Sequence, residues 1–97
     1  MESAIQSELT LPLLTQVTFA KVEYAELQLS EPSGAELIAA GKAGTQMEQL
    51  VTLIHLNAKV PRGAVELMKQ RDLMAAGSFF AHFSDESPTT SETSSLS

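Results

Sequence analysis

The chain has 97 residues, with 12 acidic against 6 basic side chains and neither cysteine nor tryptophan. That length suits one domain, and the missing thiols exclude a disulfide framework, a cysteine nucleophile and a thiolate metal site. A formal charge of −6 argues against nucleic acid as a partner, because phosphates are bound by clustered Lys and Arg.

The opening Met1-Glu2-Ser3-Ala4-Ile5-Gln6-Ser7-Glu8 has no basic n-region and no apolar h-region, so it does not read as a secretory signal. The longest mostly apolar run, 50–56, is broken by Thr52 and His55 and is too short to span a bilayer. A soluble, intracellular protein is expected. At the other end, 84–97 is rich in Ser and Thr, carries Asp85, Glu86 and Glu92, and has Leu96 as its single apolar residue. Such a segment buries too little to offset about 1–2 kcal/mol of backbone entropy per ordered residue. The expected organisation is a flexible N-terminus (1–8), one folded domain (9–83) and a disordered acidic tail (84–97).

Strand character comes first. Val17 and Phe19 alternate with Thr18, Val22 and Tyr24 with Glu23, and Leu27 and Leu29 with Gln28, the period of two that marks a half-buried strand. Ala20-Lys21 sits where a short hairpin would reverse. The apolar positions are even at 22 and 24 and odd at 27 and 29. A strand with one buried face then needs an extra residue near Ala25-Glu26, a β-bulge; the alternative is burial on both faces.

From Pro32 the period changes. Ser33-Gly34-Ala35-Glu36 is a capping box leading into Leu37-Ile38-Ala39-Ala40, a helix of about two turns ended by Gly41 and Gly44. Thr45-Gln46-Met47-Glu48 repeats the box and opens the best-patterned helix, with Met47, Leu50, Val51, Ile54 and Ala58 on one face and Leu53 beside it. It should end near 57–59, because Val60 precedes a proline. Pro61 suits the first position of a short third helix bearing Val65 and Met68. Asp72 reads as the N-cap of the last helix, whose Leu73, Ala76, Phe80 and Phe83 share a face. The fold class is α+β: a small N-terminal β-hairpin, then three or four short α-helices, then the tail.

Little in this sequence supports catalysis. His55 and His82 are twenty-seven residues apart, far from the i, i+4 spacing of a helical metal site. Gly34, Gly41 and Gly44 lack Walker or dinucleotide spacing, and no Gly-x-Ser-x-Gly elbow occurs. No enzyme activity, metal or cofactor is expected. Phe79, Phe80 and Phe83 with Met68 and Met74 suit a core, yet adjacent helical residues diverge by about 100°, so Phe79 and Phe80 cannot both point into a core this small. The two readings are simple core packing and one ring turned towards a partner.

The order of features carries a resemblance. Leu11-Pro12-Leu13, then Tyr24 and Leu27-Gln28-Leu29, lead to Glu31-Pro32-Ser33-Gly34-Ala35-Glu36-Leu37. Leu53-Ile54-His55-Leu56-Asn57 follows, then Val60-Pro61, Arg71-Asp72-Leu73-Met74 and Phe79-Phe80. Over 9–83 this resembles the tail assembly chaperones of tailed bacteriophages, in particular the Mu-like group with contractile tails. Ser30-Glu31 departs from the pattern, standing where relatives are often basic. The resemblance implies a chaperone that binds the tape measure protein in the host cytoplasm, keeps it soluble and promotes tail tube assembly. It also implies absence from the mature virion. Implied further partners are the tail tube protein, a frameshifted longer form of the chain and a second copy of itself, with neither nucleic acid nor membrane. On this reading Leu50, Ile54, Leu73, Phe79 and Phe80 are the expected partner-binding residues. The competing expectation is a small structural tail component, a completion or adaptor protein retained in the particle. A third, a host-directed mimic of nucleic acid, needs acids clustered on one folded face, whereas they are dispersed.

Overall fold

Ala20 and Lys21 both adopt positive φ, 52° and 67°, as the central residues of a type I′ turn do. In the computed structural model, which describes residues 7–85, they join β1 (Glu8–Phe19) to β2 (Val22–Ser30) as an antiparallel pair. Neither residue is Gly or Asn, so each costs about 1–2 kcal/mol in this region and the strands impose the turn. Four helices follow: α1 (Gly34–Gly41), α2 (Gln46–Ala58), α3 (Arg62–Glu66) and α4 (Gln70–Asp85). The α+β order is the one expected from the sequence. The expected loose N-terminus (1–8) and acidic tail (84–97) lie outside the described residues, except that Glu8 begins β1 and α4 continues through Ser84-Asp85.

The strands change register once. Leu11 faces Leu27 and Pro12 faces Glu26, but beyond the break Val17 faces Tyr24, so residues 13–16 stand opposite Ala25 alone. The irregularity falls at Ala25, as the phase change in β2 suggested. The extra residues, however, belong to β1 and number three, not one. An odd insertion in one strand flips the phase of its partner, which explains why the footprint shows in β2 while β1 has odd residues inward on both sides of the break. Leu11, Leu13, Val17 and Phe19 all pack on the core.

A bulge of this size leaves backbone N–H groups without ladder partners, and Asp72 takes them. Its carboxylate accepts from Leu14 N at 2.8 Å and from Thr15 N at 3.2 Å, and the residue is 1% exposed. This corrects its expected role as N-cap. The helix begins at Gln70, Lys69 O accepts the first helical bond from Leu73 N, and Asp72 lies in the first turn with its side chain turned towards β1. An acid there still complements the helix dipole.

The other strand is tethered by Asn57. Glu31 N donates to Ser7 O, so by antiparallel alternation the N–H groups of Ser30 and Gln28 point away from β1. Asn57 Oδ1, in the last turn of α2, accepts from Ser30 N at 2.8 Å, and its amide donates to Glu36 Oε1 at 2.9 Å. Glu36 is also the third residue of the α1 capping box, where its carboxylate accepts from Ser33 N. One buried amide thus links β2, α1 and α2. The same alternation puts Pro12 where its missing N–H would have faced outward, which is how a strand tolerates proline.

Both capping boxes form as expected, at Ser33/Glu36 and Thr45/Glu48. α2 ends in a left-handed Lys59, φ 60°, and His55 Nδ1 donates to Val60 O at 2.6 Å, closing the turn before the proline. Pro61 proves to be the N-cap of α3 and not its first residue; its carbonyl accepts from Ala64 N and Val65 N. The core gathers Leu27 and Leu29 from the hairpin, Val51 and Ile54 from α2, Val65 from α3 and Ala76 from α4. Met47, placed on the buried face of α2 by periodicity, is 45% exposed.

Two helical glycines behave oppositely. A Cβ at Gly63 would overlap the Phe19 ring, whereas one at Gly77 would meet the Leu50 methyls at 3.5 Å, ordinary contact. Gly63→Ala should destabilise the protein by about 1–3 kcal/mol through overpacking, and Gly77→Ala should stabilise it by up to about 1 kcal/mol through helix propensity. Urea midpoints at unchanged slope read both, and equal effects at the two sites would contradict the packing described. Asp72→Ala, which strands two N–H groups, should cost about 2–4 kcal/mol in the same assay.

Candidate interaction groove

α1, the first half of α2 and the C-terminal half of α4 line an open groove of about 830 Å³. Its lining includes small residues, Ala40 and Gly41 of α1 and Gly77 and Ala81 of α4. Leu37, Leu50, Leu53, Phe80 and Phe83 line it as well. Glu31 is the single charged residue lining it. The lining mixes these apolar and small side chains with polar groups from Gln46 and Gln49 of α2. Such a surface suits bulky apolar side chains from one face of a helix.

The five residues expected to bind a partner divide. Ile54 (0% exposed), Leu73 and Phe80 (7%) are core residues of the isolated chain, and only the edge of Phe80 reaches the groove. Leu50 and Phe79 are half-buried and keep accessible surface. Phe80 is thus the member of the adjacent pair that turns inward. The Phe79 ring lies edge-on to Phe83, centroids 5.2 Å apart, extending the apolar rim beyond the groove. Sequence reasoning missed Leu37, half-exposed at 52%, and its neighbour Ile38. The signal was present: adjacent leucine and isoleucine on a two-turn helix cannot both be buried, and Gly77 in mid-helix forfeits about 1 kcal/mol of propensity unless something needs the space.

Among the described residues no three His, Asp or Glu side chains gather as metal ligands, and no helix is long and apolar enough to cross a membrane. His55 is engaged by a backbone carbonyl, and the ion pair Arg62–Glu66 lies along α3, with Arg62 also donating to Thr52 on α2. The arrangement offers recognition of apolar surface and no assembled acid–base or nucleophilic pair among these residues.

A hairpin-and-helices module with an apolar groove is the form of a small protein-binding domain. Residues 10–85 match the family model described as phage tail assembly chaperone proteins, E, or 41 or 14, and the chain belongs to this family. The family points to a non-enzymatic role and to interaction with tail proteins during assembly in the infected host. No curated protein and no solved structure matches the chain.

The division between core and rim is measurable. Leu37→Ala should change stability by less than about 0.5 kcal/mol, as at other surface positions, while Ile54→Ala should cost about 2–5 kcal/mol. Comparable losses in urea melts would mean that α1 packs more tightly than described here.

Proposed function

We propose that this chaperone binds an amphipathic helical segment of the tape measure protein in the α1–α2–α4 groove and keeps that client soluble in the host cytoplasm. It promotes tail tube assembly through contact with the tube protein and leaves before the virion is complete. The observation that carries the reading is the groove itself, lined by small Ala and Gly residues and by Leu and Phe side chains, with Gln46, Gln49 and one charge, Glu31, beside them. Exposed apolar surface of this kind marks an interaction site. A client that is long, apolar and helical aggregates unless such surface covers it. A net charge of −6 on the chaperone keeps the covered complex in solution.

Co-expression with the tape measure gene tests this. The wild-type chaperone should co-purify with a soluble client. Leu37→Asp combined with Phe83→Asp, both on the rim, should lower the soluble client at least about tenfold, the effect of losing about 1.4 kcal/mol of binding. A client equally soluble without the chaperone sinks the proposal. Stoichiometric chaperone in purified particles, read by mass spectrometry, would instead make it a structural tail component.

A further inference from the structure

Two surfaces of opposite charge adjoin at the β1 bulge. There the Asp72 carboxylate accepts from the N–H groups of Leu14 and Thr15, and Leu14 is left 71% exposed, more than any other large apolar residue described. Bulges of this kind re-aim side chains. A cleft of about 540 Å³ at Leu14 is lined by Thr15, Lys69, Gln70, Arg71 and Asp72. Lys69 and Arg71 are exposed, whereas Asp72, the one acid, is buried against the bulge. The accessible charge of the cleft is therefore positive. The outward face of the hairpin is acidic. Leu27 and Leu29 turn inward, so Glu26 and Gln28 turn outward, and hydrogen bonds join Thr10 to Gln28 and Gln28 to Glu26 across that face. Val17 and Phe19 pack on the core, so Thr18 and its cross-strand partner Glu23 also face out. Glu23, Ala25 and Glu26 are all exposed, and neither strand contains a Lys or Arg. Glu26 pairs with Pro12, two residues before Leu14, and Ala25 stands opposite the bulge itself. The acids are thus about one strand spacing, roughly 5 Å, from the strand that carries Leu14.

We propose that this corner is a contact between two copies of the chain, in which each sets Lys69 and Arg71 against Glu23 and Glu26 of the other. Charge complementarity selects that occupant. An unrelated acidic protein would answer the cleft and leave the hairpin face unanswered, whereas a second copy answers both. Because the two surfaces adjoin, one two-fold axis brings them together twice, and Leu14, lying between them, meets its counterpart near that axis. Exposed ion pairs contribute little singly, but symmetry doubles each of them, and the paired leucines remove apolar surface from water. The backbone edge itself cannot extend the sheet at this point, since Asp72 already holds the N–H groups of Leu14 and Thr15. Side chains must therefore carry the contact, and a two-fold contact closes at two copies and does not propagate into fibres. It shares no residue with the α1–α2–α4 groove, so the dimer and the groove operate independently.

Sedimentation equilibrium of the full chain at low salt tests the contact. The wild type should populate a monomer–dimer equilibrium that weakens at least about threefold in about 0.5 M NaCl, where screening shortens to a few Å. Lys69→Glu plus Arg71→Glu should weaken the dimer at least about tenfold, because symmetry places each reversed charge in the contact twice. Glu23→Lys plus Glu26→Lys should do the same. An equimolar mixture of the two reversed chains should regain dimers, since every cleft then meets a face of opposite sign. All four side chains are exposed, and unchanged urea midpoints confirm that each reversed chain is folded. Leu14→Ser should also weaken the dimer, whereas Leu37→Asp, in the groove, should leave it intact. A wild type that stays monomeric at millimolar concentration overturns the proposal. So do folded reversed chains that fail to restore dimers when mixed, or a dimer lost with Leu37→Asp.

Discussion

A carboxylate sealed beneath a broken strand organises this protein. Asp72 accepts two backbone N–H groups from the β1 bulge, and in doing so it settles several things at once. It fixes where β1 may slip relative to β2, since the three extra residues must fall where the carboxylate can reach them. It docks the first turn of α4 on the hairpin, so that Leu73, Ala76 and Phe80 descend into the core in succession. It also leaves Leu14 outside. A buried acid in no ion pair among the described residues is expensive by itself, and its two charge-assisted hydrogen bonds are what make the site tenable. The position is therefore a lock on geometry before it is a source of stability.

Asn57 completes the frame from the other side. A two-stranded sheet has two open edges, and in this chain each is satisfied by a polar side chain from a helix: Asp72 at β1 and Asn57 at β2. Because Asn57 also donates to Glu36, the capping box of α1 is bound to the end of α2. Among the described residues these are the two buried polar side chains, one in the last turn of α2 and one in the first turn of α4. Apolar packing between them needs only to fill volume. Register and helix placement are already fixed by hydrogen bonds, which reward one alignment and no other. This division explains how α1 can remain so exposed along Leu37 and Ile38 and still be held in place.

Features that depend on local chemistry were legible in the sequence. Both capping boxes, the extent of α2 and the turn at Ala20-Lys21 involve residues close in the chain, and their signals are self-contained. Asp72 was readable as a residue with an acceptor near a helix start, but its true donors are 57 and 58 residues away, and no spacing rule reports that. The bulge was half legible: the phase change in β2 marked the place, while the strand carrying the insertion was hidden because three residues of slack preserve the parity of β1's inward positions. Met47, Leu50 and Ile54 share one helical stripe, yet they run from exposed through half-buried to fully buried. Periodicity gives the direction a side chain faces and says nothing of whether another element extends far enough to cover it.

That gap between direction and coverage is also where the groove comes from. α2 presents a continuous apolar stripe, but it is buried at Val51 and Ile54 while Leu50 is half-buried and Met47 exposed. Covering the N-terminal part would require α1 and α4 to close over Leu50. Glycine and alanine at 40, 41, 77 and 81 keep the facing surfaces too thin to do so. Larger residues there would fill the space from within and enlarge the core at the groove's expense. Gly77 shows the trade most plainly, since its Cβ would meet nothing worse than the Leu50 methyls, and helix propensity alone would favour alanine. The vacancy is thus kept at a cost in stability, which is intelligible if the missing side chains are supplied by a client.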